Sequence, residues 1–302
     1  MKVTVTGATG GIGSRLVTAL QERGDEVTVL SRDADRARAQ LGDVEAFSWD
    51  PESGPAPVEA LAGRDAVINF AGESVAQRWT DEAKARIRSS RVVGTRNLVA
   101  GIEAAGDARP VVLVSGSAIG YYGNRREVTD ESAPKGEGFL PDVCDAWEAE
   151  ARKAEALGLR VALLRTGDVL MHGDGVLPVL SKLTKLGVMG PLGGGKQHFP
   201  WIHVTDHVGL TLHALDSTRA SGPINAVAPG IVTQAQFARA LGKALHRPAF
   251  APAPAFAVKA LRGEMADLIL EGAQAVPTAA RDLGYTFAFS ELPSALDDAL
   301  RD

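Results

Sequence analysis

Thr6-Gly7-Ala8-Thr9-Gly10-Gly11-Ile12-Gly13 sets three glycines at the spacing Gly7-x-x-Gly10-x-x-Gly13. Without a Cβ, backbone in such a turn can approach a diphosphate closely, and the N-terminus of a following helix supplies unpaired N–H donors and a positive dipole end. The triplet carries meaning only where a strand ends and a helix begins. Lys2-Val3-Thr4-Val5 reads as that strand, and Leu16, Val17 and Leu20 recur at helical spacing just after the turn. The arrangement predicts a dinucleotide bound by Gly7, Thr9, Gly10, Gly11, Ile12 and Gly13.

About 20 residues further on, past a second strand, an acid would bind the ribose 2′-hydroxyl of NAD, whereas an arginine suits a 2′-phosphate. The chain has Ser31-Arg32 there, with Arg36 and Arg38 near by, so NADP is expected over NAD. Asp50, ending a third strand, either approaches the adenine or caps a turn before Pro51. Asn69, Ala71 and Gly72 end a fourth strand, where small residues allow close approach. Ser117 lies at the carboxyl end of a fifth, where open α/β sheets place their ligands, and is the first choice for a catalytic hydroxyl. Tyr121 and Tyr122 follow; either could act as an acid or cover the site as an aromatic. Cys144 could be a reactive thiol, a contact at the nicotinamide end or a buried small residue. His203 could be a general base or a packing histidine. Gly193-Gly194-Gly195-Lys196 lacks the strand–loop–helix setting of a phosphate loop and reads as a flexible lid.

The elements that must hold these residues alternate. Strands are expected at 2–5, 26–30, 44–49, 66–70, 111–114 and 160–164, with helices at 33–41, 80–105 and 142–157 between them. That order implies βαβ units and a Rossmann-type doubly wound parallel sheet with helices on both faces. Further on come a strand at 200–204, a helix at 207–215 capped by Asp206, a strand at 224–227 and a helix at 234–245. The proline-rich run 247–256 should be extended, and 257–273 helical. Two regions are expected: 1–170 binds the dinucleotide with strands borrowed from about 200–230, and 171–302 forms a smaller α/β lobe on the substrate side.

Of 302 residues 45% are hydrophobic and 23% charged, and 32 basic against 37 acidic residues leave a net charge of −5. The acidic balance argues against a nucleic-acid or anionic-membrane surface. No apolar run approaches the roughly 18 residues of a membrane span. The lone cysteine forms no internal disulfide, no Cys/His spacing suggests a metal, and the first strand leaves no room for a signal peptide, so a cytoplasmic protein is expected.

Taken together, the glycine turn, Asn69-x-Ala71-Gly72, Ser115-x-Ser117 and Arg165 resemble the extended short-chain dehydrogenases/reductases. Asn69-Phe70-Ala71-Gly72-Glu73, Ser90 to Arg96, Ser117 to Gly123, Trp201-Ile202-His203 and the run from Arg247 to Phe287 narrow the resemblance to the atypical, epimerase-like branch, over essentially the whole chain. The resemblance implies cofactor contacts from Asn69, Ala71, Gly72, Glu73, Arg91, Ser115, Arg165 and Gly167, a substrate that is a nucleotide sugar or carbonyl compound, and a homodimer. It also exposes a departure. The parent superfamily's Tyr-x-x-x-Lys pair, aligned through Glu148, falls on Leu140 and Cys144, and Arg91 stands where a relay asparagine is usual. An NADP(H)-dependent oxidoreductase or epimerase is therefore one expectation, and a cofactor-binding sensor without turnover the other. Glu73 and Glu148 could each provide a carboxylate near the site, although an acid on a helix is ordinarily solvated, which is the expectation for Glu148.

Overall fold

Val3, Val5, Val27, Val29, Ile68, Leu113 and the run Val161 to Leu164 are all buried, as near-continuous apolar strands are when helices cover both faces. The computed structural model describes residues 1–249 and 251–301; Phe250, within the expected extended run, and Asp302 lie outside the described residues.

The first half runs β1 (Lys2–Thr6), α1 (Gly11–Glu22), β2 (Glu26–Ser31), α2 (Ala34–Leu41), β3 (Glu45–Ser48), β4 (Ala66–Asn69), α3 (Asp81–Ala104) and β5 (Val112–Ala118). Next come β6 (Arg125–Thr129), α4 (Phe139–Arg152), β7 (Arg160–Thr166), β8 (Asp168–Leu170), α5 (Leu177–Lys185), β9 (Trp201–His203), α6 (Val204–Asp216) and β10 (Gly222–Ala226). The chain closes with α7 (Gln234–Ala244), α8 (Ala255–Arg262), α9 (Ala266–Leu270), β11 (Ala273–Ala275), α10 (Thr278–Asp282) and α11 (Leu292–Ala299).

Seven strands pair in parallel in the order β10-β7-β5-β4-β1-β2-β3, the Rossmann-like sheet expected. Chain order reverses between β1 and β4, which makes the crevice beyond their carboxyl ends the natural ligand position. Register brings Thr6 beside Asn69, Asn69 beside Ser115, and Ser117 beside Arg165. Two small parallel pairs, β8 with β9 and β11 with β6, tie the later segments to this edge.

Several boundaries differ from expectation. β5 runs past Val114 to Ala118, because β7 stays in register with it through Ala118 and keeps its hydrogen bonds supplied. The helix expected at 257–273 breaks at Gly263, whose φ of 59° interrupts it, and gives way to β11. Asp206 does not cap α6. His203 does, its Nδ1 accepting from the Thr205 amide at 3.2 Å, which makes it a capping and packing residue. Asp206 is fully buried in the first turn of α6 and ties down the C-terminal segment, accepting from the Ala288 and Phe289 amides at 2.7 and 2.9 Å and from the Tyr285 hydroxyl at 3.1 Å. The glycine loop near residue 193 is bonded in place: the Gly193 amide donates to the Ala253 carbonyl at 2.8 Å and the Leu192 amide to Gln234 at 2.9 Å.

Replacing Asp206 with alanine removes the acceptor of three partly buried donors at once. The expected loss is about 2–4 kcal/mol in urea unfolding, with faster amide exchange over residues 285–289. An unchanged midpoint would remove the tether from the account.

Candidate functional site

The glycine turn is shaped by contacts that admit no side chain. A Cβ on Gly13 would strike the Gly7 carbonyl and the Ala8 backbone, and one on Gly7 (φ 68°) would meet the Phe70 carbonyl at 2.6 Å. Gly10 caps α1 without a side-chain hydrogen bond, and the first turn holds no acid, so the opening amides are free for an anion. Asp174 lies against Gly11, and Arg15 clamps that loop by bonding the Gly11 carbonyl at 2.8 Å and the His172 carbonyl at 2.9 Å. At the end of β2, Arg32 is exposed and makes no hydrogen bond or ion pair among the described residues, while the Ser31 hydroxyl accepts from the Asp33 amide at 3.3 Å. Asp50 caps a turn, accepting from the Glu52 amide at 3.1 Å.

Beneath the turn a buried polar chain crosses three strands. Thr6 donates to Asn69 at 2.6 Å, Asn69 donates to Thr95 at 3.0 Å and reaches Ser115 at 3.5 Å, and the Ala71 amide donates to Thr6 at 3.1 Å. Asn69 and Ser115 are thus framework beneath the 70–72 segment, holding Phe70 and Ala71 against Gly7. Gly167 is a close approach as well: a Cβ there would meet the Pro200 backbone.

The β5–β7 side holds a pairing that the sequence reading missed. Arg165 follows four apolar residues into the sheet and is 3% exposed. Its Nε and Nη2 donate to Glu148 at 2.7 and 2.9 Å, its Nη1 donates to the Tyr122 hydroxyl at 2.9 Å, and its guanidinium lies 3.6 Å from the Tyr121 ring centre. Burial works against its charge, but Glu148 outweighs that and raises its pKa. Glu148 is itself buried, which corrects the expectation of a solvated acid. The signal was present: Pro141, Cys144, Glu148 and Ala151 share one helical stripe of α4, and a strand-interior arginine needs a counter-charge.

This pair changes the reading of the candidate catalytic groups. Ser117 donates to Glu148 at 2.7 Å, so its proton is committed and the oxygen offers lone pairs only. Tyr122 is completely buried, donates to Asn225 at 2.8 Å and has its pKa pushed up to about 12 by burial, so it is no acid for a substrate. Tyr121 is half-buried and remains open to a ligand. Cys144 is buried with its thiol pushed up to about 12 by the same cause, which corrects the reactive-thiol alternative. Asp168, not singled out from sequence, sits just beyond β7; burial raises it to about 7, and its carboxyl has no hydrogen-bond partner among the described residues. Arg91 and Glu73 flank Gly72, the guanidinium donating to the Glu73 carbonyl at 2.8 Å. Among the described residues no group of His, Cys, Asp or Glu could hold a metal ion, and no helix is long and apolar enough to cross a membrane.

Comparison with known proteins matches this architecture. Residues 3–227 match the model for the NAD dependent epimerase/dehydratase family, and residues 253–299 match a domain of unknown function, DUF1731. The chain is 40% identical over 299 residues to the "Epimerase family protein SDR39U1 homolog, chloroplastic" of Arabidopsis thaliana, covering 98% of this chain and 86% of the relative. It is 35% identical to Bacillus subtilis epimerase family protein YfhF over 304 residues, covering 100% and 99%. The crystal structure of human epimerase family protein SDR39U1 (isoform 2) with NADPH superposes with a TM-score of 0.87 at 34% identity, covering 99% of both chains.

Two outcomes follow from this geometry. Glu148→Ala leaves Arg165 buried and unpaired, and urea unfolding should register a loss of about 3–5 kcal/mol. Asp168 binds its proton more tightly folded than unfolded, so its contribution to stability is present at low pH and is lost as pH rises from the ordinary carboxylate range through about 7. Asp168→Asn should therefore gain about 1–2 kcal/mol at pH 8 and nothing at pH 4, read from thermal or urea melts. Equal gains at both pH values would contradict the assignment.

Proposed function

The chain belongs to the NAD dependent epimerase/dehydratase family, and from that premise we propose that it is an NADP(H)-dependent oxidoreductase or nucleotide-sugar epimerase-like enzyme acting on a small molecule. The observation that carries the reading is the glycine turn, where Gly7 and Gly13 stand too close to backbone for any other residue and the amides opening α1 lack a cap. The same turn tests whether the dinucleotide fits, and it does. Arg32, free and exposed at the end of β2, suits a 2′-phosphate, and the NADPH of the human structure supports the same choice.

When bound, the nicotinamide supplies or accepts the hydride. The chain's own residues bind, orient and handle the proton. Ser117, with its proton given to Glu148, accepts from a substrate hydroxyl and fixes its direction. Tyr121, stacked on Arg165, covers the substrate. Asp168 carries a proton near neutrality and is the group best suited to deliver it to a reacting oxygen. The segments beyond residue 170 form the substrate-side lobe in this reading. A second reading, a cofactor-binding sensor, draws on one observation: Leu140 and the protonated Cys144 stand where related enzymes carry tyrosine and lysine.

Fluorescence titration tests the cofactor first. Arg32→Ala should weaken NADPH roughly tenfold and leave NADH within about twofold, while Gly13→Ala should abolish both. Equal losses for NADPH and NADH in the arginine variant would overturn the NADP assignment. Nicotinamide absorbance, with product analysis across carbonyls and nucleotide sugars, then separates the readings. Turnover that falls at least tenfold in Asp168→Asn supports the enzyme, and tight NADPH binding without any conversion supports the sensor.

A further inference from the structure

Arg91 is a half-buried cation without a carboxylate. Among the other enclosed arginines, Arg165 pairs with Glu148 and Arg160 donates to the Ala214, Leu215 and Ala220 carbonyls at and just beyond the end of α6; Arg15 and Arg109 also lack a carboxylate among the described residues and donate to backbone carbonyls. Arg91 forms no ion pair among the described residues. The acid nearest to it in charge, Glu73, accepts from the Gln77 side chain at 3.2 Å instead. Burial holds the pKa of Arg91 below its ordinary value, with only modest relief from Cys144 and Glu73.

The guanidinium is also fixed. Its Nη1 donates to the Glu73 carbonyl at 2.8 Å and the Ile87 carbonyl at 3.2 Å, and the group lies 5.2 Å from the Trp147 ring centre. Nη1 therefore has both protons in use. Nε and Nη2, whose N–H bonds run side by side, have no acceptor among the described residues, and neither atom is sealed from solvent. This open edge stands beside Gly72, where a Cβ would come within 3.1 Å of the guanidinium carbon. Gly72 in turn follows Phe70 and Ala71, which pack on Gly7, and Trp147 reaches Gly116 on β5. The edge thus opens between the carboxyl ends of β4 and β5.

We propose that the Nε–Nη2 edge of Arg91 is a two-point binding site for an anionic group, a carboxylate or a phosphate, of a ligand seated in the β4–β5 crevice. The assignment rests on reading that crevice as the ligand cleft. Parallel N–H donors match the paired oxygens of such groups, and a buried cation without a partner gains most from a charge brought in by the ligand. Arginine does not titrate here, so it holds and orients the anion and leaves proton transfer to other groups. The group comes from one of two sources: the diphosphate of the dinucleotide, or a carboxylate or phosphate on the substrate.

Side-chain NMR of arginine-15N-labelled protein tests this without catalysis. The Arg91 Nε–H signal is identified by its disappearance in Arg91→Lys, and inorganic phosphate, malonate and NADP⁺ are titrated separately; malonate is also added to NADP⁺-saturated protein. The expected result is a displaced signal with at least fivefold slower hydrogen exchange for one or more of these anions. Arg91→Lys, which keeps the charge and loses the fork, should weaken that anion at least tenfold. A response to NADP⁺ that malonate cannot add to assigns the anion to the diphosphate. A response to malonate over saturating NADP⁺ assigns it to the substrate. A signal unmoved by every anion overturns the proposal. Tryptophan fluorescence reports NADP⁺ binding in the same samples, so failure at Arg91 is told apart from failure of the dinucleotide reading.

Discussion

The absence of two Cβ atoms governs this molecule. Gly13 closes on the Gly7 carbonyl and Gly7 closes on the Phe70 backbone, which draws the start of α1, the end of β1 and the end of β4 into one tight corner. That corner fixes where α1 points, and the polar chain of Thr6, Asn69, Thr95 and Ser115 fixes the 70–72 segment beside it. Everything proposed about ligands follows from this corner, because it presents uncapped amides at the point where the sheet's order reverses.

The second organising element is electrostatic. Inside the β5–β7 edge, Arg165 and Glu148 neutralise each other and between them engage Ser117 and Tyr122, with Tyr121 stacked above. Such a pair costs desolvation and tolerates no unpaired member, so it locks these side chains into one arrangement. The residues that would move protons in a tyrosine–lysine enzyme have been replaced here by groups that do not titrate near neutrality, Leu140 and a thiol raised to about 12. The groups left with chemical freedom at the edge are Tyr121, Asp168 and the open side of Arg91. The site is consequently rigid on one side and open to an incoming charge on the other.

What could be read from the residues divides along the range of the interactions. The glycine turn and the strands around it were legible, since each is set by neighbours in sequence: apolar runs, a turn that only glycine permits, and a helix behind it. The extended tail of β5, β6 and β8 were not, because their partners lie far along the chain, β11 for β6 and β9 for β8. Asp206 looked like a helix cap by position, yet its partners are residues 285 to 289, about eighty positions away. Glu148 reads as a solvated acid by type alone, although its place on the apolar stripe of α4, with an arginine near the end of β7, points inward. Arg91 stood out only through the family resemblance and Asp168 gave no signal at all, since a missing partner becomes visible only when the surroundings are known.

The central claim is that the amides opening α1 hold a dinucleotide diphosphate while Arg32 holds the 2′-phosphate. Phosphorus-31 NMR of NADP⁺ titrated with the protein tests this most directly, because the three phosphorus atoms report separately. The account predicts that both diphosphate signals move on binding and that the 2′-phosphate loses its ordinary titration near pH 6, held in its dianionic form by the guanidinium. Signals that stay at their free positions with protein in excess, or a 2′-phosphate that moves while the diphosphate does not, would contradict it.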